Sequence, residues 1–278
     1  MTATGTPAAE PRRQLHVEPV MGTVVSIDVR DAAPAGNVQA AVAAVVADLH
    51  AVDRDFSTYR PGSWVSRLQA GAVTAADCPA QVREVLGLCA RYRDDTGGWF
   101  DPAYAGPGRW DPTGLVKGWA VARAVALLAA YGLRDLCVTA GGDVLALGRP
   151  APGRAWRIGV TDPRRPPGLL GSVTAPPGGG ALAVATSGVQ ERGEHVLDPR
   201  THRAAAGLLG ATVIGADLTA ADAWATAVLA AGPDGPALAD RLRAVGCAWI
   251  TVAADGSVRR SPPGATPAEL RVGPVGGG

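Results

Sequence analysis

Apolar positions along the chain recur with two periods, and each change of period marks a new element. "HVEPVMGTVVSIDV", residues 16–29, is rich in β-branched residues and breaks at Gly22, which predicts a strand pair or one long strand. Val38, Ala41, Val42, Val45, Leu49, Val52 and Phe56 then fall at helical spacing. Ser63 is placed to cap a short helix ending near Leu68. Pro79 opens another, with Val82, Val85, Leu86, Cys89 and Tyr92 on one face. "DPTGLVKGWAVARAVALLAAYG", residues 111–132, predicts a turn passing into a long apolar helix that ends at Gly132. Short strands are expected near 135–140, 143–148 and 156–161, then a Pro/Gly-rich loop over 162–180, then strands near 181–186, 194–197 and 210–216. "LTAADAWATAVLAAG" predicts a helix, 236–245 a second, and 247–253 a last strand. Helices and strands mix without a βαβ rhythm, so the fold class is α+β. The loop is long for a compact domain and reads as a variable insertion. No internal repeat is seen. Residues 1–14 and 261–278 read as flexible tails around a single domain, 15–260.

Composition narrows the function classes. The 278 residues are 47% hydrophobic and 18% charged, ample for a core. A net charge of +1 gives no field to draw nucleic acid or an anionic membrane, and 5% aromatic residues argue against a base-stacking platform. Cys78, Cys89, Cys137 and Cys247 are too scattered for a zinc site or a compact disulfide framework, so they read as buried small hydrophobes in a reducing compartment. The N-terminal residues lack the apolar run of a leader, and no stretch reads as a membrane span, so a cytoplasmic protein without an anchor is expected.

Candidate chemistry sits in five places. Gly114 and Gly118 flank Lys117 at a helix start, where backbone N–H groups favour a phosphate, although the stretch is neither a Walker A loop nor a dinucleotide fingerprint. Asp222 and Thr226 are four apart and share a helical face. Two oxygen donors there suit Mg²⁺, while Thr219 and Asp222 equally fit a capping box. His195 and Asp198 lie beside a Ser-Gly turn as a candidate catalytic pair, the imidazole beside a carboxylate acting as general base; alternatively Asp198 simply holds the turn at Pro199 and His195 is a half-buried strand residue. His16, His50 and His202 show no nearby partner in the sequence. Asp143 follows a Gly-Gly turn that could bring backbone against a flat ligand, and Tyr59, before Pro61, could stack on a ring system.

In order, "MGT" (21–23), "STY" with Ser63, "GGWFDP" (97–102), "DPTGLVKGWA" (111–120), "GGD" (141–143), "TSG" (186–188), "HVLDP" (195–199) and "ADAWAT" (221–226) resemble the ApbE family of FAD:protein FMN transferases. The resemblance implies an ApbE-like mixed fold of antiparallel-rich sheets flanked by helices, with an FAD/Mg²⁺ site between two lobes. It implies an enzyme that splits FAD, passes FMN to a Thr or Ser hydroxyl of an acceptor flavoprotein, and releases AMP. On the matching positions, Met21, Tyr59, Trp99, Phe100, Asp101, Asp111, Lys117, Asp143 and Leu197 would contact FAD. Gly114, through its carbonyl, Asp222 and Thr226 would hold the metal, and His195 would deprotonate the acceptor. The position before Thr226 is Ala225, where some members carry a second acid, so the metal would be held by fewer charges. Two other outcomes share the same motifs: an FAD pyrophosphatase that uses water, and a flavin carrier without turnover.

Overall fold

The chain folds around an antiparallel sheet covered on both faces, as the computed structural model shows for residues 13–103, 110–188 and 196–272. Its eight strands run in the order β1 (Gln14–Val20), β2 (Thr23–Val29), β3 (Leu136–Ala140), β4 (Asp143–Leu147), β7 (Leu182–Gly188), β10 (Leu208–Gly215), β11 (Ala248–Ala253) and β12 (Val258–Arg260). A three-stranded sheet, β13 (Glu269–Val272), β6 (Leu169–Thr174) and β5 (Arg157–Thr161), packs on one face. A short pair, β8 (Leu197–Asp198) with β9 (Arg203–Ala204), stands apart.

Double coverage explains why several central strands are apolar almost throughout. Leu136, Val138 and Ala140 of β3 join a core with the helices, whereas Cys137 joins a second core with the small sheet. β7 divides likewise: Ala183 and Ala185 face the helices, Leu182 and Val184 the small sheet. The helical layer comprises α1 (Ala35–Phe56), α2 (Trp64–Gln69), α3 (Ala80–Asp95), α4 (Thr113–Ala130), α5 (Leu218–Ala231) and α6 (Ala239–Ala244). All four cysteines are buried and unpaired, as expected.

Five sequence expectations change. The loop at 162–180 contains β6, and the C-terminal tail contributes β13, which pairs with it from Glu269↔Thr174 to Val272↔Gly171. Their flanking Pro and Gly residues hid two strands that are held by pairing rather than by local propensity. Residues 236–245 are not one helix: a 3₁₀ turn over Gly232–Leu238 precedes α6. His16 and His50 do have a partner, since both reach Glu18, at 3.3 and 2.9 Å, across β1 and α1. Two helices, α1 and α4, are long and apolar enough to cross a membrane, against the expectation of none. Here their apolar stripes, Val45 and Leu49 on α1 and Leu115 and Val121 on α4, are fully buried in the core.

Helices α4 and α5 approach unusually closely because glycines line the seam. A Cβ on Gly118 would lie 2.6 Å from the Leu218 carbonyl oxygen and 2.7 Å from Asp222 Cβ; one on Gly114 would lie 2.9 Å from Thr226 Oγ1. The glycines flanking Lys117 therefore serve helix contact, and Gly114 also lines a cleft at the start of α4. Gly118→Ala should destabilise the protein by about 1–3 kcal/mol, the usual cost of overpacking. Gly87→Ala, on an open face of α3, should stabilise it by about 0.5–1 kcal/mol. Urea unfolding of both variants measures this; equal effects would contradict a tight seam.

The loop before β6 is fastened by Asp162, whose carboxylate accepts from Arg164 Nε and Nη2, both at 2.8 Å, and from the Arg164 N–H at 3.0 Å. The Arg164 side chain pulls the Asp162 carboxyl down from its ordinary 3.8 to about 2. A lowered folded value means stability that is present above the ordinary value and lost as pH falls through the folded one. Asp162→Asn should therefore be less stable than the parent at neutral pH, with the gap closing between about pH 4 and pH 2 in unfolding titrations. A gap independent of pH would contradict the ion pair.

Candidate active site

The α4–α5 seam also brings the chemistry together. Asp217 caps α5 by accepting from the Thr219 and Ala220 N–H groups at 2.8 and 3.3 Å. The Thr219–Asp222 capping box is thus overturned, and Asp222 is released for the helix interface. There it is buried, and its Oδ2 accepts the Gly118 N–H at 2.8 Å. In a regular helix that N–H points to the Gly114 carbonyl. Thr226 Oγ1 lies 3.3 Å from the same Gly114 carbonyl and 3.3 Å from Ser187 Oγ. A carbonyl, a hydroxyl and a carboxylate from two helices therefore meet in one place. Such a hard-oxygen set fits a Mg²⁺ ion that keeps waters or phosphate oxygens for its remaining positions.

Two clefts flank this cluster and share Thr113 and Lys117. The first is lined by Trp99, Phe100, Asp101, Asp111, Gly114, Thr186, Ser187, Leu197, Asp222 and Thr226 among others. The second is lined by Met21, Val52, Phe56, Ser57, Tyr59 and Val116 among others. The expected FAD contacts divide between them: Trp99, Phe100, Asp101, Asp111 and Leu197 in the first, Met21 and Tyr59 in the second, and Lys117 in both. Trp99 is itself covered by the Arg200 guanidinium, 3.7 Å from its ring centre. Tyr59 is 90% exposed, an aromatic surface with little protein against it. Met21 has φ of 55° in the two-residue hairpin turn that it forms with Gly22, an uncommon conformation for a side chain with a Cβ.

Asp143 behaves differently from the expectation of an FAD contact. It is fully buried and is not among the residues lining either cleft. One oxygen accepts the Thr186 N–H at 3.1 Å and the other lies 3.0 Å from Lys117 Nζ. Asp143 thus positions Lys117 and the end of β7. Asp198 holds its own turn, accepting from the Arg200 N–H at 2.8 Å and Thr201 Oγ1 at 3.1 Å. His195 lies outside the described residues. Ser187 and Thr113 are further site residues; the Ser-Gly pair at 187–188, expected as a turn, instead ends strand β7 and was the available signal for the first.

The first cleft is lined by three carboxylates, Asp101, Asp111 and Asp222, and by one lysine, Lys117. Such a surface repels an anion unless a cation bridges it. Lys117 also offsets the Asp143 charge. Lys117→Met should leave a buried carboxylate without its ammonium and destabilise the fold by about 3–5 kcal/mol. Adding Asp143→Asn, which keeps an acceptor for the Thr186 N–H, should recover most of that loss. If Lys117→Met unfolds in urea like the parent, the pair carries no stability.

Comparison with known proteins identifies the family and the fold. The sequence pattern of the ApbE family matches residues 21–110 and 106–249. An FAD:protein FMN transferase of Rhodobacter capsulatus is 36% identical over 157 residues, 52% of this chain and 28% of that relative, so this chain spans little more than a quarter of its length. The crystal structure of the ApbE protein from Thermotoga maritima superposes with a TM-score of 0.78 at 24% identity, covering 90% of this chain and 97% of that one. The flavin transferase ApbE from Vibrio cholerae gives 0.73 at 20% identity over 91% and 98%. The apo flavinyl transferase ApbE of Pseudomonas stutzeri gives 0.73 at 23% over 92% and 97%. With the family's motifs matched along most of its length and its α+β fold reproduced, the chain belongs to the ApbE family.

Proposed function

We propose that this protein is an FAD:protein FMN transferase, which cleaves FAD, joins FMN to a Thr or Ser hydroxyl of an acceptor flavoprotein and releases AMP. The observation that carries this reading is the oxygen cluster of Gly114, Asp222 and Thr226 beside two clefts that share Thr113 and Lys117. A dinucleotide has that layout: two ring systems joined by a pyrophosphate. One half of FAD lies against Trp99, Phe100 and Leu197, the other against Met21 and Tyr59, and the pyrophosphate passes Thr113 and Lys117.

Gly114, Asp222 and Thr226 would hold Mg²⁺, which when bound neutralises phosphate charge and polarises the bond to be broken. The excess of carboxylates in the first cleft supports a cation requirement, because FAD brings further negative charge. Lys117, held by Asp143, adds a fixed positive charge near the phosphates. Ser187, hydrogen-bonded to Thr226, orients that hydroxyl. A Thr or Ser hydroxyl needs a base to become a useful nucleophile. His195 is assigned that role because it directly precedes Val196 and Leu197, which line the first cleft. Asp198, committed to its turn, is left in a structural role. The oxygen of the acceptor attacks the FMN-side phosphorus, the bridging P–O bond breaks, and AMP departs with the electron pair. We also assign a reducing cytoplasmic setting, supported by four buried, unpaired thiols.

Asp222→Ala should keep the fold but lose Mg²⁺-dependent AMP release from FAD by about 10²-fold or more, the scale of a lost electrostatic group at a reacting phosphate. Chromatography of FAD incubations with and without Mg²⁺ reads this directly. Parent-like AMP release by the variant would contradict the ligand assignment. AMP with free FMN and no labelled acceptor would point to hydrolysis by water instead.

A further inference from the structure

β7 runs past the end of β4. Their antiparallel register stops at Val144↔Val184, whereas β7 stays paired with β10 through Thr186↔Thr212, Ser187↔Ala211 and Gly188↔Gly210. Among the described residues, no strand pairs with Thr186 to Gly188 on the β4 side; there the Thr186 N–H donates to the Asp143 side chain. Backbone groups alternate sides along an antiparallel strand. With Thr186 turned toward the β4 side, Gly188 turns that way too, and Ser187 turns toward β10. A strand edge of this kind accepts a further strand.

The edge also divides two recesses. On one face, Ser187 Oγ lies 3.3 Å from Thr226 Oγ1, at the oxygen cluster. On the other face, Thr186 Oγ1 meets Thr212 Oγ1 at 3.0 Å, beside a groove lined by Pro163, Pro166, Leu170, Leu209, Ile250 and Val252. Thr186 borders both the catalytic cleft and this groove, so a single residue separates the two. Gly188 and Gly210 leave the groove floor bare. A Cβ on Gly210 would sit 3.5 Å from Pro163 Cγ, and one on Gly188 3.4 Å from the Leu209 carbonyl oxygen, ordinary contact distances. The wall carrying Pro163 and Pro166 is fixed by the Asp162–Arg164 pair.

We infer that the acceptor polypeptide docks as an added antiparallel strand on the Thr186–Gly188 edge, in line with β4, with its reactive Thr or Ser opposite Ser187. This rests on the transferase reading. Residues opposite one another across two strands project to the same face. The acceptor hydroxyl therefore faces Thr226 and the metal-binding oxygens, while the residues before and after it drop into the apolar groove. Ser187 directs its own N–H toward β10, so the residue opposite it occupies a position without cross-strand hydrogen bonds. The main-chain N–H groups of the two flanking residues, not that of the reactive residue, would bond to β7.

The test uses the full chain with FAD, Mg²⁺ and synthetic nine-residue peptides that carry one central Thr. Mass spectrometry reads the FMN adduct, and AMP is measured in parallel. Peptides with uncharged apolar residues on both sides of Thr should be labelled, and Asp or Lys at either flank should cut labelling about tenfold or more. N-methylation of either flanking residue should do the same, whereas N-methylation of the Thr itself should be tolerated. Gly210→Val, which fills the groove, should raise KM for the apolar-flanked peptide while FAD titrations stay unchanged. If that variant does not fold, Leu209→Ala should blunt the preference for apolar flanks. FAD cleavage with labelling indifferent to flank chemistry and backbone methylation overturns the docking mode alone, whereas AMP and free FMN with no peptide labelled overturns the transferase reading together with the docking mode. Absence of AMP release by the parent overturns the transferase reading and the docking mode with it.

Discussion

The site depends on the close crossing of two helices. Gly114 and Gly118 remove the side chains that would hold α4 away from α5, and the space gained is filled by Thr226 and Asp222. Small residues continue the seam, since Ala221 and Ala225 are fully buried. Residues four apart on one helix thereby face residues four apart on the other. Packing and chemistry are the same contact here. The glycines admit a carboxylate and a hydroxyl to a buried interface, and the Gly118 N–H gives that carboxylate a hydrogen-bond partner. Burying a charge without partners would cost far more than such a contact returns.

Everything else at the site is held relative to that seam. Asp143 ends the β3–β4 hairpin and joins Lys117 of α4 to the Thr186 N–H of β7, so one buried carboxylate ties helix to sheet. Ser187 then reaches Thr226 from the sheet side. The Met21–Gly22 hairpin brings the far cleft to Lys117, which lines it too. Three hairpin or strand ends and two helices thus converge at one end of the sheet, where backbone groups are less committed to ladder bonds and a ligand has room.

Much of the fold was legible in the sequence, and the failures share a cause. Helix α1, with Val38 to Phe56 at helical spacing, and strands β3, β4 and β10 announce themselves by local periodicity. Strands β6 and β13 do not, because Gly and Pro surround them and only their mutual pairing holds them. The site shows the same split. Trp99, Phe100, Asp101, Asp111, Lys117, Asp222 and Thr226 come together along the first cleft. The spacing of Thr219 and Asp222 suggested a cap, and only tertiary structure reveals that Asp217 already fills that role. Asp143 carries a motif that implies ligand contact, yet burial makes it a positioning residue. Glu18 lies two residues from His16 on the same strand face and was within reach of the period-2 pattern, whereas its contact with His50 exists only once α1 packs on β1.

The central claim is that the α4–α5 seam is a metal site built for a pyrophosphate. Crystals grown with FAD and Mn²⁺, a scatterer that can replace Mg²⁺ at oxygen ligands, test it most directly through the anomalous difference map. The account predicts a strong peak within coordination distance of the Gly114 carbonyl, the Asp222 carboxylate and Thr226 Oγ1, with the FAD phosphates beside it. FAD bound in the two clefts with no metal at the seam, or metal bound elsewhere, would contradict it.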